Sequence, residues 1–323
     1  MSEAVVVVST GGTITMRPEP GTGKLVPVLS AAELVELLDW PDAPPLELDD
    51  FVSVPSFDVH GELALALARR VVEHASRPGT RGVVVPHGTD TTEESVYLVD
   101  RLLDTDTPVV FTGAQRGADQ PDGDGPRNLR DAIRLAASPD ARGLGALVAF
   151  GGEIHAAREA RKVHTSALRA FDSPGYGPVG HVDGDVVSLR RSPLRAAALP
   201  LPERLAQVDL HRLYAGSDGR FVRHSLATGA EALVLEGTGR GNANEQVVEA
   251  VREASAQNIP VVVCSRCATG RVEPVYGRGG GRDLEEAGAL FAGDLAGPKV
   301  RVLLQIVLGA GLDVPATLAA EAR

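Results

Sequence analysis

Short runs that are apolar at every position alternate along the first half of the chain with longer amphipathic stretches. Val5-Val6-Val7-Val8, Val83-Val84-Val85, Pro108 to Phe111 and Ala146 to Phe150 are of strand length and bounded by Gly, Pro or polar residues. Continuous apolar character fits strands covered on both faces, as in parallel sheets. Leu46 to Val54 reads as a further strand. Helices are expected from Ser30 to Leu38, with Glu33 completing a capping box, from about His60 to Ala75, from Thr91 to Leu103, and from Pro126 to Ala137. This alternation predicts an α/β fold: a doubly wound, mostly parallel sheet with right-handed crossovers, whose ligands bind at the carboxyl ends of the strands.

The pattern breaks over residues 191–212, where Pro193, Pro200, Pro202 and a run of alanines have linker character. Residues 1–190 then form the larger, N-terminal domain. Residues 213–323 form a smaller C-terminal α/β domain, with strands at Ala232 to Glu236 and Pro260 to Ser265 and helices at Asn244 to Gln257 and Pro298 to Leu308. A length of 323 residues suits two domains of ordinary size.

Composition narrows the function classes. With 43% hydrophobic and 23% charged residues, the chain reads as a soluble globular protein. A net charge of -11 without a basic cluster argues against a nucleic-acid partner. No run approaches the roughly 18 apolar residues of a membrane span, and only Val5 to Val8 follow Met1-Ser2-Glu3-Ala4, so neither membrane insertion nor a signal peptide is expected and a cytoplasmic location is. Cys264 and Cys267 make a C-x-x-C with no second pair for zinc, which favours burial or chance over a redox or metal role.

Four strand ends are polar. Thr13 follows Gly11-Gly12, Ser56-Phe57 follow Pro55, His87-Gly88-Thr89-Asp90-Thr91 follow the valine run, and Ala114 follows Gly113. Taken singly, Gly11-Gly12 is an ordinary turn and His87 to Thr91 an ordinary helix start, with Thr89 and Asp90 suited to capping it. The glycine-rich phosphate motifs G-x-x-x-x-G-K-[ST] and G-x-G-x-x-G are absent, which disfavours a nucleotide-binding protein. Met16 to Pro27, rich in Pro and Gly, suggests a mobile lid beside Thr13. Asp119, Asp122 and Asp124 lack the spacing of a calcium loop and fit a solvated turn.

Together, Thr10-Gly11-Gly12-Thr13-Ile14, His87-Gly88-Thr89-Asp90-Thr91, Gly113-Ala114-Gln115-Arg116, Asp124-Gly125-Pro126-Arg127-Asn128-Leu129, and Lys162 with the later Ser173-Pro174-Gly175-Tyr176-Gly177-Pro178, resemble the bacterial asparaginase/glutaminase family. The resemblance implies hydrolysis of a side-chain amide to carboxylate and ammonia through a threonine acyl-enzyme, with no metal or cofactor. It implies a homo-oligomer, dimer or tetramer, whose sites lie between the N-terminal domain of one subunit and the C-terminal domain of its neighbour. By the same resemblance Thr13 is the nucleophile, and Thr89, Asp90 and Lys162 form a second catalytic cluster. Asp90 and Ser56 hold the α-ammonium and α-carboxylate of the substrate, Gly88 and Ala114 offer backbone groups, and Asn242 is supplied across the interface.

The chemistry of the residue types agrees. A threonine hydroxyl needs a neighbouring base. Lysine can serve once its amine is neutral, whereas arginine stays protonated. The chain uses Arg for nearly every cation and has Lys only at 24, 162 and 299. Amides of Gly11-Gly12 and those near Gly88 are expected to stabilise an oxyanion.

Two positions depart from the family pattern. The family's lid tyrosine is missing, with Leu25 in its place; Tyr276, near Glu273, is either a replacement from a neighbouring subunit or an ordinary half-buried strand residue. Phe57 stands where the family commonly has Gln or Ser, which predicts weaker selection for free asparagine and acceptance of a larger or less polar amide. The competing expectation is a catalytically weak binding or regulatory protein on the same fold.

Overall fold

Val5 to Val8 are wholly buried, and β1 (Ala4–Gly11) runs through the parallel core of a sheet. The computed structural model describes residues 3–321, and the chain divides between Ala198 and Leu199 into two compact units.

In the first unit a short hairpin follows β1, made of β2 (Met16–Pro18) and β3 (Leu25–Pro27). Next come α1 (Ala31–Glu36), β4 (Leu46–Val54), α2 (Gly61–Ser76), β5 (Thr80–Pro86), α3 (Thr92–Leu102), β6 (Val109–Thr112), α4 (Gly125–Ala137) and β7 (Ala146–Phe150). The expected strands and helices of this region are present. The capping box of α1 is formed: Glu33 N–H donates to Ser30 Oγ and Ser30 N–H to the Glu33 carboxylate. Pro126 sits in the first turn of α4. Among the described residues the sheet has eight strands; β4, β1, β5, β6 and β7 lie side by side in that order and run parallel.

Beyond β7 the sheet continues in a way the apolar pattern did not predict. β8 (Glu153–Ala156) turns back antiparallel to β7. A two-stranded hairpin, β9 (Arg161–Lys162) with β10 (Phe171–Asp172), leaves the sheet, and β11 (Gly180–Asp183) and β12 (Val186–Leu189) complete the antiparallel edge. These pieces are two to four residues long, too short to show a period.

The second unit carries a four-stranded parallel sheet of β13 (Val208–Arg212), β14 (Ala232–Gly237), β15 (Val261–Ser265) and β16 (Leu290–Phe291). Its helices are α5 (Arg220–Ala227), α6 (Glu245–Ala256), α7 (Gly281–Glu286), α8 (Gly297–Gly309) and α9 (Val314–Glu321). Here the linker expectation needs correcting in part, since Val208 to Arg212 is the first strand of this sheet. Val208 is buried and pairs with Ala232, so the polar residues of this five-residue strand hid it from a pattern reading. Cys264 is buried on β15, its thiol donating to Leu235 O at 3.6 Å, and Cys267 is exposed after it.

Candidate active site

The parallel strands β4, β1, β5 and β6 end in loops that touch one another. Gly12 adopts φ +80°, and a side-chain carbon placed on it would lie 2.4 Å from Gly88 Cα; one placed on Gly88 would lie 2.7 Å from Ser56 Cβ. The loop after β1 is thus pressed on the loop after β5, which is pressed on the loop after β4. Only glycine allows backbones this close.

Thr13 opens a single 3-10 turn, Thr13–Thr15, whose other two residues are buried. Thr15 anchors the turn, its hydroxyl and N–H both donating to Gly12 O at 2.9 Å. Thr10 ties β1 to the end of β5 through a 2.9 Å bond from its hydroxyl to Pro86 O. Among the described residues the Thr13 hydroxyl makes no hydrogen bond, so it is presented at the edge of the sheet on a turn held from behind.

Thr89 and Asp90 follow Gly88 and meet a residue 73 positions away. Lys162 Nζ donates to Thr89 Oγ1 at 2.8 Å and to Asp90 Oδ1 at 2.6 Å. Thr89 is 6% exposed and the Lys162 side chain 16%, whereas the Asp90 carboxylate is 56% exposed. The amine therefore links a buried hydroxyl to an open carboxylate. Two contacts fix Lys162: β9 pairs it with Phe171, whose ring packs 5.1 Å from that of Phe150, and its N–H donates to Glu93 Oε2 at 3.3 Å. Sequence reasoning missed Glu93, because no local signal relates residues so far apart.

Ser56 is buried beside this cluster. Its Oγ accepts from Asp90 N–H at 3.2 Å and its carbonyl from the Thr91 hydroxyl at 2.8 Å. The expectation that Thr89 and Asp90 cap the following helix is corrected here: Thr91 occupies the cap position of α3, and no side chain makes a capping bond there. The hydroxyls are drawn elsewhere, Thr91 to Ser56 O and Thr92 to Gly88 O at 2.9 Å. Phe57, next to Ser56, is 69% exposed.

His87 is structural. Its ring is fully buried against Phe111, Nδ1–H donates to Gly88 O at 2.7 Å, and burial pushes its pKa down to about 4, so it is neutral near pH 7.

Ala114 is buried after β6. Behind it, Asp124 does more than line a solvated turn. Its carboxylate accepts from Gln115 N–H and Arg116 N–H at 3.0 Å and from Asn128 Nδ2 at 3.1 Å. Asn128 also donates to Gly113 O and accepts from Gly151 N–H, so the two side chains staple the ends of β6 and β7 together. The motif was visible in the sequence, but its role as a staple was not. Asn242 belongs to the second unit, in the turn after β14, where its Oδ1 accepts from Gly281 N–H at 3.1 Å.

The lid region forms a β2–β3 hairpin, in which Met16 pairs with Pro27, and Leu25 on β3 is 48% exposed. One expectation about the loops changes. Gly12 N–H is not an oxyanion donor, because it is spent on Val54 O at 3.1 Å.

Comparison with known proteins places this arrangement. A family model described as Asparaginase, N-terminal matches residues 4–195, and one described as Glutaminase/Asparaginase C-terminal domain matches residues 207–319. The chain is 36% identical over 319 residues to a Probable L-asparaginase of Deinococcus radiodurans, covering 95% of this chain and 93% of that one. It is 32% identical over 309 residues to an L-asparaginase of Bacillus licheniformis, covering 95% and 96%. The crystal structure of the Probable Cytoplasmic L-asparaginase from Campylobacter jejuni matches with a TM-score of 0.88 at 27% identity, over 100% of this chain and 99% of that one. With both domain models matched in order and relatives aligned over almost the full length, this chain belongs to the asparaginase family and is an asparaginase-like amidohydrolase.

Proposed function

We propose that the chain hydrolyses an asparagine-like side-chain carboxamide through an acyl-enzyme on Thr13. The observation that carries this reading is the hydrogen-bonded series Thr89, Lys162, Asp90, set against the turn of Thr13 by the Gly12 and Gly88 contact. Thr13 Oγ attacks the amide carbon, and its proton passes to the Thr89 and Lys162 pair. The oxyanion is met by the amides of Gly88 and Thr89, which make no backbone hydrogen bond among the described residues. One such donor is typically worth roughly 3 kcal/mol. The tetrahedral intermediate expels ammonia, which takes the proton, and leaves an ester on Thr13. Water attacks the ester, giving the carboxylic acid and restoring the hydroxyl.

Asp90 and Ser56 are the holders of the α-ammonium and α-carboxylate in this reading, and the bond from Asp90 N–H to Ser56 Oγ keeps the two residues side by side. The exposed Phe57 ring favours a second substrate class beside free asparagine: a larger or less polar amide, since the ring offers no acceptor. The reading includes a homo-oligomer, dimer or tetramer, in which Asn242 and the exposed Tyr276 of a neighbouring copy complete the site. A cytoplasmic location accords with the description of the Campylobacter relative; among the described residues no helix is long and apolar enough to cross a membrane.

The test is mass spectrometry of protein quenched during turnover, together with ammonia release by wild type and Thr13→Ala. A substrate-derived acyl group on Thr13, absent from the variant along with ammonia release, supports the reading. Full activity of Thr13→Ala refutes it.

A further inference from the structure

The antiparallel edge of the first unit holds a concavity of about 630 Å³ whose lining includes none of Thr13, Thr89, Asp90 and Lys162. Its floor is the Gly151-Gly152 turn between β7 and β8, and its walls come from the first turn of α4, the β9–β10 hairpin, β11 and the residues after β12. The chain as a whole has 43 acidic against 32 basic residues, yet Arg127, Arg169, Arg190 and His181 meet here with only Glu153 and Asp183 opposing them. Local inversion of sign in an acidic protein concentrates field in a concave site.

The ion pairs within the cleft show which charges remain. Glu153, with 12% of its side chain exposed, is spent on Arg169 and has the ring nitrogens of His155 and His181 at 3.7 and 3.9 Å. Arg127 has 69% of its side chain exposed and reaches Asp131 only at 3.8 Å, too long for a hydrogen bond. It lies over the floor, its Nη2 3.5 Å from where a side-chain carbon on Gly152 would sit, so the missing side chain leaves that face of the guanidinium open. Arg190 is exposed, and no ion pair to it is formed among the described residues; its backbone is fixed by a 2.8 Å bond from its N–H to Val179 O. Two guanidinium groups from different elements thus line one open cleft, opposed by Asp183 in its lining and by Asp131 at 3.8 Å from Arg127. Planar forks of this kind bind carboxylate and phosphate oxygens in pairs.

We propose that this cleft is a binding site for a small oxyanion, carried by a carboxylate or a phosphate, held by Arg127 and Arg190.

The test is calorimetric titration of the full chain at low ionic strength, where exposed charges are least screened. The probes are inorganic phosphate and tricarballylate, and the proteins are wild type, Lys162→Met and the double variant Arg127→Gln/Arg190→Gln. Binding of either probe to wild type and to Lys162→Met, weakened about tenfold or more in the double variant, supports the site. The probe that binds names the class of ligand. No binding of either probe, or equal binding by the double variant, overturns it. Because the readout is heat of binding, retained in a variant without the catalytic lysine, failure here is separate from failure of the acyl-enzyme reading. Both arginines are exposed, so thermal midpoints of the double variant and wild type should agree within a few degrees, which checks its fold.

Discussion

Replacing Lys162 by methionine separates catalysis from stability in one substitution. The side chain keeps its approximate length but loses its bonds to Thr89 at 2.8 Å and Asp90 at 2.6 Å. On the stability side the loss is small. Asp90 is 56% exposed, and an ion pair to such a group contributes about 0–1 kcal/mol. The buried Thr89 hydroxyl loses one partner, a cost of roughly 1 kcal/mol. A total of about 1–2 kcal/mol lowers the thermal midpoint by roughly 2–8 °C for a unit of this size. On the catalytic side, removing a group that moves a proton costs about 10²- to 10⁴-fold, equivalent to roughly 3–5 kcal/mol at the transition state. A coupled assay of ammonia release on asparagine is expected to show kcat/KM falling by that factor while the fold persists. Thr89→Val breaks the same series at its hydroxyl. If the two residues act as one relay, Thr89→Val/Lys162→Met is no worse than the weaker of the two single variants, because a unit already broken cannot be broken again. Ammonia release by Lys162→Met within tenfold of wild type, or single effects that multiply in the double variant, refutes the relay.

Gly12→Ala forces a carbon to within 2.4 Å of Gly88 at a positive φ, so we expect a loss of about 1–3 kcal/mol, a midpoint lower by roughly 2–12 °C, and reduced ammonia release; a wild-type melt and rate would show that the two loops are not locked together. Phe57→Ser supplies an acceptor at an exposed position, so KM for free asparagine should fall about 2- to 10-fold with stability changed by less than about 0.5 kcal/mol. In the same kinetics, assayed on asparagine, glutamine and N-acylated or peptide amides, a strong wild-type preference for free asparagine counts against the role given to Phe57. Burial pushes both His87 and His155 from 6.5 down to about 4, so between those values the unfolded chain binds protons that the folded chain does not. Stability is then full above about pH 6.5 and is lost as pH falls toward 4, by on the order of 3 kcal/mol per histidine. Thermal midpoints measured from pH 7 to pH 4 should fall less steeply for His87→Gln/His155→Gln than for wild type, and parallel curves exclude the histidines as the cause.

Much of this protein is legible without a structure where the signal is local. Four adjacent valines, a proline at the head of a helix and a capping box at Ser30 are each decided within a turn or a strand of chain, and all appear where the pattern puts them. The polar strand ends at Thr13, Ser56, Thr89 and Ala114 were visible for the same reason, since a run of apolar residues stopping at Gly and hydroxyls marks where a strand emerges from the core. The family resemblance grouped Thr89, Asp90 and Lys162, but the local pattern of residues by itself could not decide which ends meet or through which elements. Lys162 reaches Thr89 across 73 residues through a two-residue strand, Asp124 clamps a loop nine residues behind it, and Gly12 N–H is consumed by a strand more than 40 residues away. The antiparallel edge from β8 to β12, the β2–β3 hairpin and the strand hidden at Val208 belong to the same class. Periodicity and capping report interactions over a few residues, whereas these contacts depend on sheet order and on which backbones can approach. That is a property of the packed structure: the valines and glycines encode where a site can form, and only the folding of β1, β4, β5 and β9 around them settles that a threonine, a carboxylate and an amine share it.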